Sequence, residues 1–257
     1  MSSHPRTSPV ARRRLALSQN FLHHAPSIRT IVHASGVRPG ELVVEPGAGE
    51  GHLSRALAAA TGRVIAYEID RTLAGRFPDH PRIRLVQGDF LRATPPREPF
   101  AVVGNIPYSR TTDIVRWCLA APRLTSATLL TQLEYARRRT GDFGSWPLLT
   151  VRSWPRYAWR LGPRVHRRHF VPVPRGDSAV LRLERRPEPL LPAADLGPYG
   201  AFVDLGFTGR GGSLHATLTH HYGRSRTRAL DLDRSLPCGL VPPEVWVRLY
   251  RELRCRA

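Results

Sequence analysis

Short apolar runs alternate with amphipathic stretches along the chain from Glu41 onward. The first four runs, each followed by a polar or glycine-rich turn and then a helix-like pattern, occupy residues 42–44, 64–67, 83–86 and 100–103. Further strand-like runs occur at 127–130, around 154–161 and at 179–183. Strands that alternate with helices are typical of βα units on a parallel sheet, so the pattern predicts an α/β fold.

A proline-rich segment at 185–192 separates this region from a C-terminal part of different character. Beyond it the chain contains helical patterns, such as residues 243–253, and lacks strand signals. We therefore place a domain boundary near residue 186. The N-terminal residues carry several arginines and no acid. The sequence thus predicts a basic flexible arm at 1–17, an α/β domain at 18–185 and a helical C-terminal domain at 186–257.

Candidate binding residues follow the ends of the first three predicted strands. Gly47 and Gly49 lie in a turn before a helix, where glycines let the backbone approach a ligand closely. Glu68 ends the second strand, where an acid accepts hydrogen bonds from both hydroxyls of a ribose, and Asp89 follows the third strand, where a carboxylate suits an adenine amino group. Each acid alone would also suit a helix N-cap. Because neighbouring parallel strands end at one edge of a sheet, the set predicts a site for a nucleotide-like cofactor.

The fourth strand ends in the most specific motif of the chain, the tetrad Asn105-Ile106-Pro107-Tyr108. Such tetrads suit methylation of an exocyclic amine, whose lone pair is delocalised into the ring. The Asn105 side-chain oxygen and the Ile106 carbonyl would accept the two hydrogens of the amine and aim its lone pair at a methyl group. Tyr108 would stack on the extruded base. A plain turn is the alternative interpretation, which the three preceding signals disfavour.

These motifs, taken together, resemble the rRNA adenine N6-methyltransferases. The segments that occur in the order and spacing of that family are 18–22, 45–51, Glu68, 88–91, 105–108 and 170–174. The family comprises the Erm enzymes, which act on large-subunit 23S rRNA, and the KsgA-type dimethyltransferases, which act on small-subunit rRNA. The tetrad with Ile106 and the residues after it are more similar to those of the Erm enzymes. The resemblance is dense over residues 15 to 185 and rests only on length and helical character beyond them.

The resemblance implies a class I methyltransferase fold, with a Rossmann-like, mostly parallel seven-stranded sheet, and S-adenosylmethionine (SAM) as methyl donor. Residues 18–185 would then form the SAM-binding catalytic domain. By position in the family's motifs, the cofactor-binding residues would be Gln19, Asn20, Leu22, Gly47, Gly49, Glu68, Ile69, Asp89, Phe90 and Asn105. The catalytic residues would be Asn105, Ile106, Pro107, Tyr108 and Phe170. In this arrangement the rings of Tyr108 and Phe170 stack on the target adenine.

The charge balance favours an RNA substrate. The 39 Lys and Arg residues are all arginines, and with 20 acids they give a formal net charge of +19, which indicates a polyanionic partner. Arginines and aromatic residues are interleaved between residues 135 and 169, as in proteins that position phosphates and stack bases. Trp154 and Trp159 are expected in the core instead. The predicted RNA-binding residues are Arg12, Arg13, Arg14, Arg137, Arg138, Arg164, Arg167 and Arg168, and a solvated tail is an equal alternative for the first three.

The leading hypothesis is SAM-dependent N6-methylation of one adenine in 23S rRNA, which in the Erm family confers resistance to macrolide, lincosamide and streptogramin B antibiotics. The alternatives are a KsgA-type small-subunit dimethyltransferase and a non-catalytic RNA-binding factor on the same fold. Three cysteines without a Cys-x-x-Cys pair fit a reducing cytoplasm and disfavour a cysteine zinc site. We expect a monomer without metal or membrane attachment. The sequence leaves open whether the product is mono- or dimethyladenine. It also leaves open whether the substrate is naked rRNA or an assembling large subunit.

Overall fold

The computed structural model describes residues 20–255. The predicted arm with Arg12, Arg13 and Arg14, and Gln19 after it, lie outside the described residues. The strands are β1 (Phe21–Leu22), β2 (Leu42–Pro46), β3 (Val64–Glu68), β4 (Ile83–Gln87), β5 (Phe100–Asn105), β6 (Leu124–Gln132), β7 (Tyr157–Val165), β8 (Phe170–Val171) and β9 (Ser178–Arg185).

Seven of these strands form one sheet in the order β4-β3-β2-β5-β6-β9-β7. The pairs β4–β3, β3–β2, β2–β5 and β5–β6 are parallel. The central strands β2 and β5 are buried along almost their whole length, as expected of parallel strands covered on both faces. The order reverses between β2 and β5, so ligands are expected at the carboxyl ends of these strands. The predicted fold class is confirmed.

Helices follow most strands. They are α1 (Ala25–Ser35), α2 (His52–Thr61), α3 (Arg71–Ala74), α4 (Thr111–Ala120), α5 (Leu133–Arg139), α6 (Leu148–Ser153), α7 (Leu196–Gly206), α8 (Leu214–Tyr222), α9 (Arg224–Thr227) and α10 (Pro243–Cys255). Short 3₁₀ turns begin directly after two of the predicted site positions, at Phe90–Arg92 and Tyr108–Arg110. No helix in the described part of the chain is long and apolar enough to cross a membrane.

A separate two-stranded sheet ties the N-terminal segment to the loop that contains Phe170. Strands β1 and β8 pair antiparallel, with Leu22 opposite Phe170 and Phe21 opposite Val171. Leu22 and Phe170 both belong to the hydrophobic core, together with Ile31 of α1 and Val43 of β2. Neither short strand has a sequence pattern long enough to predict it, so this pairing is a feature of the tertiary structure alone.

The chain divides into two compact units. The first contains the chain up to Leu133 together with Leu161–Leu183, and the second contains Glu134–Arg160 and the residues from Glu184 on. The division near residue 184 lies close to the predicted boundary at 186. Residues 134–160, however, group with the C-terminal unit, whereas the sequence places them in the catalytic domain. Trp154 and Trp159 are buried within this second unit, which confirms that they are core residues.

Candidate active site

The carboxyl ends of β2, β3 and β4 border a cleft of about 230 Å³. Gly47 follows β2, Glu68 is the last residue of β3, and Asp89 comes two residues after β4. The three strands are neighbours in the sheet, so these residues meet although they are far apart in sequence. The cleft is lined by Pro46, Gly47, Tyr67, Glu68, Ile69, Gly88, Asp89, Phe90, Leu91, Pro107, Ser109, Arg110 and Ile114.

Glu68 is a buried carboxylate held by the backbone. Its Oε2 accepts a hydrogen bond from the Gly49 N–H at 2.8 Å, and its Oε1 accepts one from the Asp70 N–H at 2.8 Å. Burial raises the pKa of Glu68, while these backbone donors act in the opposite direction. The Ile69 N–H is a third backbone donor to this carboxylate. A carboxylate has about four acceptor positions, so Glu68 keeps acceptor capacity for a ribose hydroxyl.

Glu45, which lies on β2 two residues before Gly47, is a second buried acid at this edge, and it is not among the residues predicted from the sequence. The Ser54 hydroxyl donates a hydrogen bond to its Oε2. Burial, with a smaller contribution from the nearby Glu68 carboxylate, raises the pKa of Glu45 to about 8, although the Ser54 hydroxyl opposes the shift. Glu45 is therefore largely protonated at neutral pH and adds no full charge beside Glu68.

The glycine turn after β2 fits closely against β1. Gly49 has φ of +55°, and a Cβ built on it would lie 3.0 Å from the ring of Phe21. A larger residue at this position would be strained and would also displace that ring. The backbone N–H groups of Gly47 and Ala48 both donate to the Tyr67 carbonyl, which joins the turn to the end of β3.

Apolar side chains and one carboxylate form the far side of the cleft. Ile69 is 48% exposed and lines the cleft, so it offers a free apolar surface to a planar ring. Phe90 packs against Tyr67 and Trp117, at ring-centroid distances of 5.7 and 4.3 Å. Asp89 Oδ1 caps the following turn by accepting the Leu91 N–H at 3.0 Å. Its Oδ2 accepts no hydrogen bond from the described residues, so the capping role and a binding role are compatible.

A smaller cavity of about 30 Å³ adjoins this cleft at the end of β5. The two cavities share Gly47, Glu68 and Pro107. The Asn105 side-chain nitrogen donates to the Asn20 carbonyl at 2.7 Å, which fixes the orientation of the amide. Asn105 Oδ1 accepts no hydrogen bond from residues 20–255. An oriented acceptor that still lacks a donor therefore lines the small cavity.

Tyr108 lines the same cavity, and its hydroxyl hydrogen-bonds to the Ser178 hydroxyl at 2.6 Å. Burial raises the pKa of Tyr108, so the phenol stays protonated at neutral pH. Ile106 and Pro107 also line the cavity, and the Ile106 side chain is buried. The structure thus brings the whole predicted tetrad to one place.

Two predicted residues lie elsewhere. Phe170 has no exposed surface and packs in the hydrophobic core, so in this structure its ring is not free to stack on a base, contrary to the prediction. Leu22 is 6% exposed and also packs in the core, whereas its neighbour Phe21 lines the small cavity. Successive residues of a strand face opposite sides, and the pairing of β1 with β8 decides which one faces the core. Phe21 is therefore the residue of β1 at the site.

The predicted RNA-binding arginines fall into two groups. Arg137 is ion-paired with Asp142, and Arg164 is ion-paired with Asp177. Arg167 donates from its backbone to Asp177 and from its guanidinium to the Arg175 carbonyl. These contacts hold the Asp177 carboxyl pKa below its usual range, chiefly through the Arg167 N–H. Arg138 and Arg168 are exposed, and their side chains contact no acid among the described residues.

One group of metal-ligating side chains comes together, although the sequence predicts no metal. The candidate ligand atoms of His23, Glu50 and His52 all lie within 4.8 Å of one another. Arg55 lies 3.1 Å from His52 Nδ1 and can only donate, so the neutral imidazole carries its proton on Nε2. Nε2 is the atom that faces Glu50, at 3.5 Å. In this tautomer Nε2 carries its proton beside the Glu50 carboxylate.

The cleft fits SAM by the chemistry of its groups. A buried carboxylate with free lone pairs suits ribose hydroxyls, an exposed apolar side chain and a carboxylate oxygen suit adenine, and the glycine turn allows close approach. The adjoining cavity places a fixed amide acceptor beside that space. The sheet topology and this site together define a class I SAM-dependent methyltransferase.

Comparisons with known proteins give the family. The model of the ribosomal RNA adenine dimethylase family matches residues 10–254. An rRNA adenine N-6-methyltransferase of Streptomyces fradiae is 53% identical over 95% of this chain and 79% of its own length. The mycinamicin-resistance protein MyrB of Micromonospora griseorubida is 36% identical over 96% of this chain and 81% of its own length. The crystal structure of the 23S rRNA methyltransferase ErmE superposes with a TM-score of 0.87 and 46% identity, and covers 91% of this chain and 100% of that one.

The chain belongs to the ribosomal RNA adenine dimethylase family and is a methyltransferase of the Erm type. The resemblance found in the sequence motifs is thereby confirmed, as are the enzyme class and the cofactor. The role of each site residue stays a prediction.

Proposed function

We propose that this protein transfers a methyl group from SAM to N6 of a specific adenine in 23S rRNA and thereby confers resistance to macrolide, lincosamide and streptogramin B antibiotics. The observation that carries the reaction type is the fixed Asn105 amide, whose free Oδ1 lies in the small cavity that adjoins the cleft. The names of the similar proteins support the substrate and the resistance, since one is a 23S rRNA methyltransferase and another a mycinamicin-resistance protein.

The reaction needs orientation rather than a strong base. SAM supplies an electrophilic methyl group, and the adenine amine must present a lone pair that is normally delocalised into its ring. Asn105 Oδ1 and the Ile106 carbonyl accept the two amine hydrogens and so direct the lone pair out of the ring plane. Because the Asn20 carbonyl holds the Asn105 nitrogen, the acceptor is aligned before the substrate arrives, and such positioning supplies much of a catalytic effect.

The residues around the cleft and the small cavity also account for the binding of SAM and of the target adenine. Glu68 accepts hydrogen bonds from the ribose of SAM, Asp89 accepts one from its adenine amine, and Ile69 covers one face of its adenine. Tyr108 replaces part of the stacking that the target adenine loses when it leaves its helix. Phe170 supports this site from the core. Arg138 and Arg168 contact RNA phosphates with their free guanidinium groups. The protein acts in the cytoplasm, as a monomer and without a metal ion.

The test is to map the modification in cells. Primer extension is carried out on small-subunit rRNA and on 23S rRNA from cells with and without the protein, and the modified nucleoside is then identified by mass analysis. We expect a methylated adenine in 23S rRNA. The Asn105→Ala variant is the matched control, because it removes the acceptor while the SAM cleft and the arginines remain. Its rate at saturating SAM should fall by about a hundredfold or more, so that a change in SAM affinity does not account for the loss. Modification of small-subunit rRNA instead would favour the KsgA-type alternative, and no modification of either rRNA would favour a non-catalytic factor.

A further inference from the structure

The C-terminal unit contains a wide basic groove that no predicted site residue touches. It has a volume of about 810 Å³ and lies along α8, α9 and the segment that follows them. We refer to it as the α8–α9 groove. Its lining includes Arg224, Arg228, Arg234, His215 and His220, and no acidic residue.

The three arginines of the groove form no ion pair with an acid that the structure describes. All three are exposed, and their guanidinium groups make no hydrogen bond or ion pair within residues 20–255. The acids nearest in sequence are engaged elsewhere. Asp231 pairs with Arg248 at 2.7 Å, and Asp233 accepts hydrogen bonds from the backbone and hydroxyl of Ser235. Like charges that share one concave surface repel each other and attract a polyanion.

The arginines that line the groove differ in their contacts from Arg226, which lies between them in sequence. Arg224 is the first residue of α9 and Arg228 follows its last residue, and both line the groove. Arg226 does not line it; instead it donates to the Leu253 carbonyl at 2.7 Å and lies over the ring of Tyr222. Residues 224–228 thus contain one arginine that packs against α10 and two that line the groove.

We propose that the α8–α9 groove binds the phosphate backbone of the RNA substrate. This inference rests on the proposed function, because it takes the polyanion to be rRNA. A guanidinium group can bind two phosphate oxygens at once, and the exposed hydroxyl of Ser225 adds a further donor to the lining. The lining contains no Phe, Tyr or Trp ring for base stacking. The groove therefore adds affinity and holds the RNA without reading its sequence.

The expected effect is on the salt dependence of binding. Each phosphate contact with single-stranded nucleic acid contributes about −0.7 to the slope of log affinity against log salt. The triple variant Arg224→Gln, Arg228→Gln, Arg234→Gln should have a slope shallower by about 2. Between 50 and 200 mM salt, the affinity of the parental protein should therefore fall about twentyfold more than that of the variant.

The experiment uses the full chain, a 23S rRNA transcript and a single-stranded homopolymer RNA, with filter binding across that salt range. The matched control is Arg76→Gln, Arg82→Gln, Arg97→Gln, which removes the same charge from three exposed arginines that also lack a side-chain partner among the described residues. The triple Arg→Lys variant of the groove should keep most of the parental slope. The groove variant should raise the KM for rRNA and leave kcat and the SAM affinity unchanged.

An unchanged slope in the groove variant, or an equal loss in the control variant, would overturn the inference. A different result would contradict the proposed function: the parental protein would not methylate the 23S rRNA transcript. If that protein still binds both RNAs with a slope that depends on the groove arginines, the groove is a phosphate site and only the reaction has been assigned wrongly.

Discussion

Replacing Tyr108 by phenylalanine removes one hydroxyl and leaves the ring in the small cavity. In the parental protein this hydroxyl lies 2.6 Å from the hydroxyl of Ser178, the first residue of β9. Ser178 is fully buried, and its hydroxyl has no other hydrogen-bond partner in the described part of the chain. The substitution therefore leaves a buried hydroxyl unpaired.

The size of the effect follows from this burial. An unpaired buried hydroxyl costs about 1–3 kcal/mol, whereas replacing both members of a pair by apolar groups is nearly neutral. Tyr108→Phe should lower the free energy of unfolding by that amount, and Tyr108→Phe combined with Ser178→Ala should recover much of it. The two substitutions should thus be coupled by about 1 kcal/mol in a double-mutant cycle.

The assays are urea unfolding and single-turnover methylation of a 23S rRNA transcript at saturating SAM. Tyr108→Phe should keep the parental rate within a few-fold, because stacking uses the ring. Tyr108→Ala should lose about 1–3 kcal/mol of base stacking, which corresponds to roughly tenfold to hundredfold in rate. If Tyr108→Phe is as slow as Tyr108→Ala while its stability is unchanged, the hydroxyl itself takes part in the reaction and the stacking argument is wrong.

Substitutions at three further positions test the remaining groups. Glu68→Gln should weaken SAM binding about tenfold to hundredfold in calorimetry, because charged hydrogen bonds are worth about 1.5–3 kcal/mol, and an unchanged affinity in the folded variant would remove Glu68 from the cofactor site. Glu45 has a pKa of about 8 in the folded protein against 4.5 ordinarily, so the folded state keeps a proton that the unfolded chain releases. Stability should therefore fall as pH rises from about 4.5 to 8, by up to roughly 1.4 kcal/mol per pH unit, and Glu45→Gln should remove that part of the pH dependence of urea unfolding. Phe170→Ala should cost about 3–5 kcal/mol of stability, and Phe170→Leu should cost far less and retain activity; a stable but inactive Phe170→Leu would instead assign the ring to the target base.

Local pattern in the sequence determined the sheet and the residues at its edge. The apolar runs that became β2 to β5 are short, are bounded by turn residues and repeat with helices between them, so each could be recognised from its own neighbours. The positions of Gly47, Glu68 and Asp89 at the edge of the sheet could be predicted from those runs, because each residue lies at or just after the end of a strand. The tetrad from Asn105 to Tyr108 is likewise contiguous in sequence.

Tertiary contacts decided what these local signals do not contain. Phe170 has the spacing of a site residue, yet the pairing of β8 with β1 places its ring in the core and brings Phe21 rather than Leu22 to the cavity. The partner of the Tyr108 hydroxyl is Ser178, 70 residues away, and no local pattern links the two. The same holds for residues 134–160, whose contacts lie with the C-terminal unit. Whether a residue is buried, and which distant residue it pairs with, depends on the elements that pack against it. The local sequence does not contain that information.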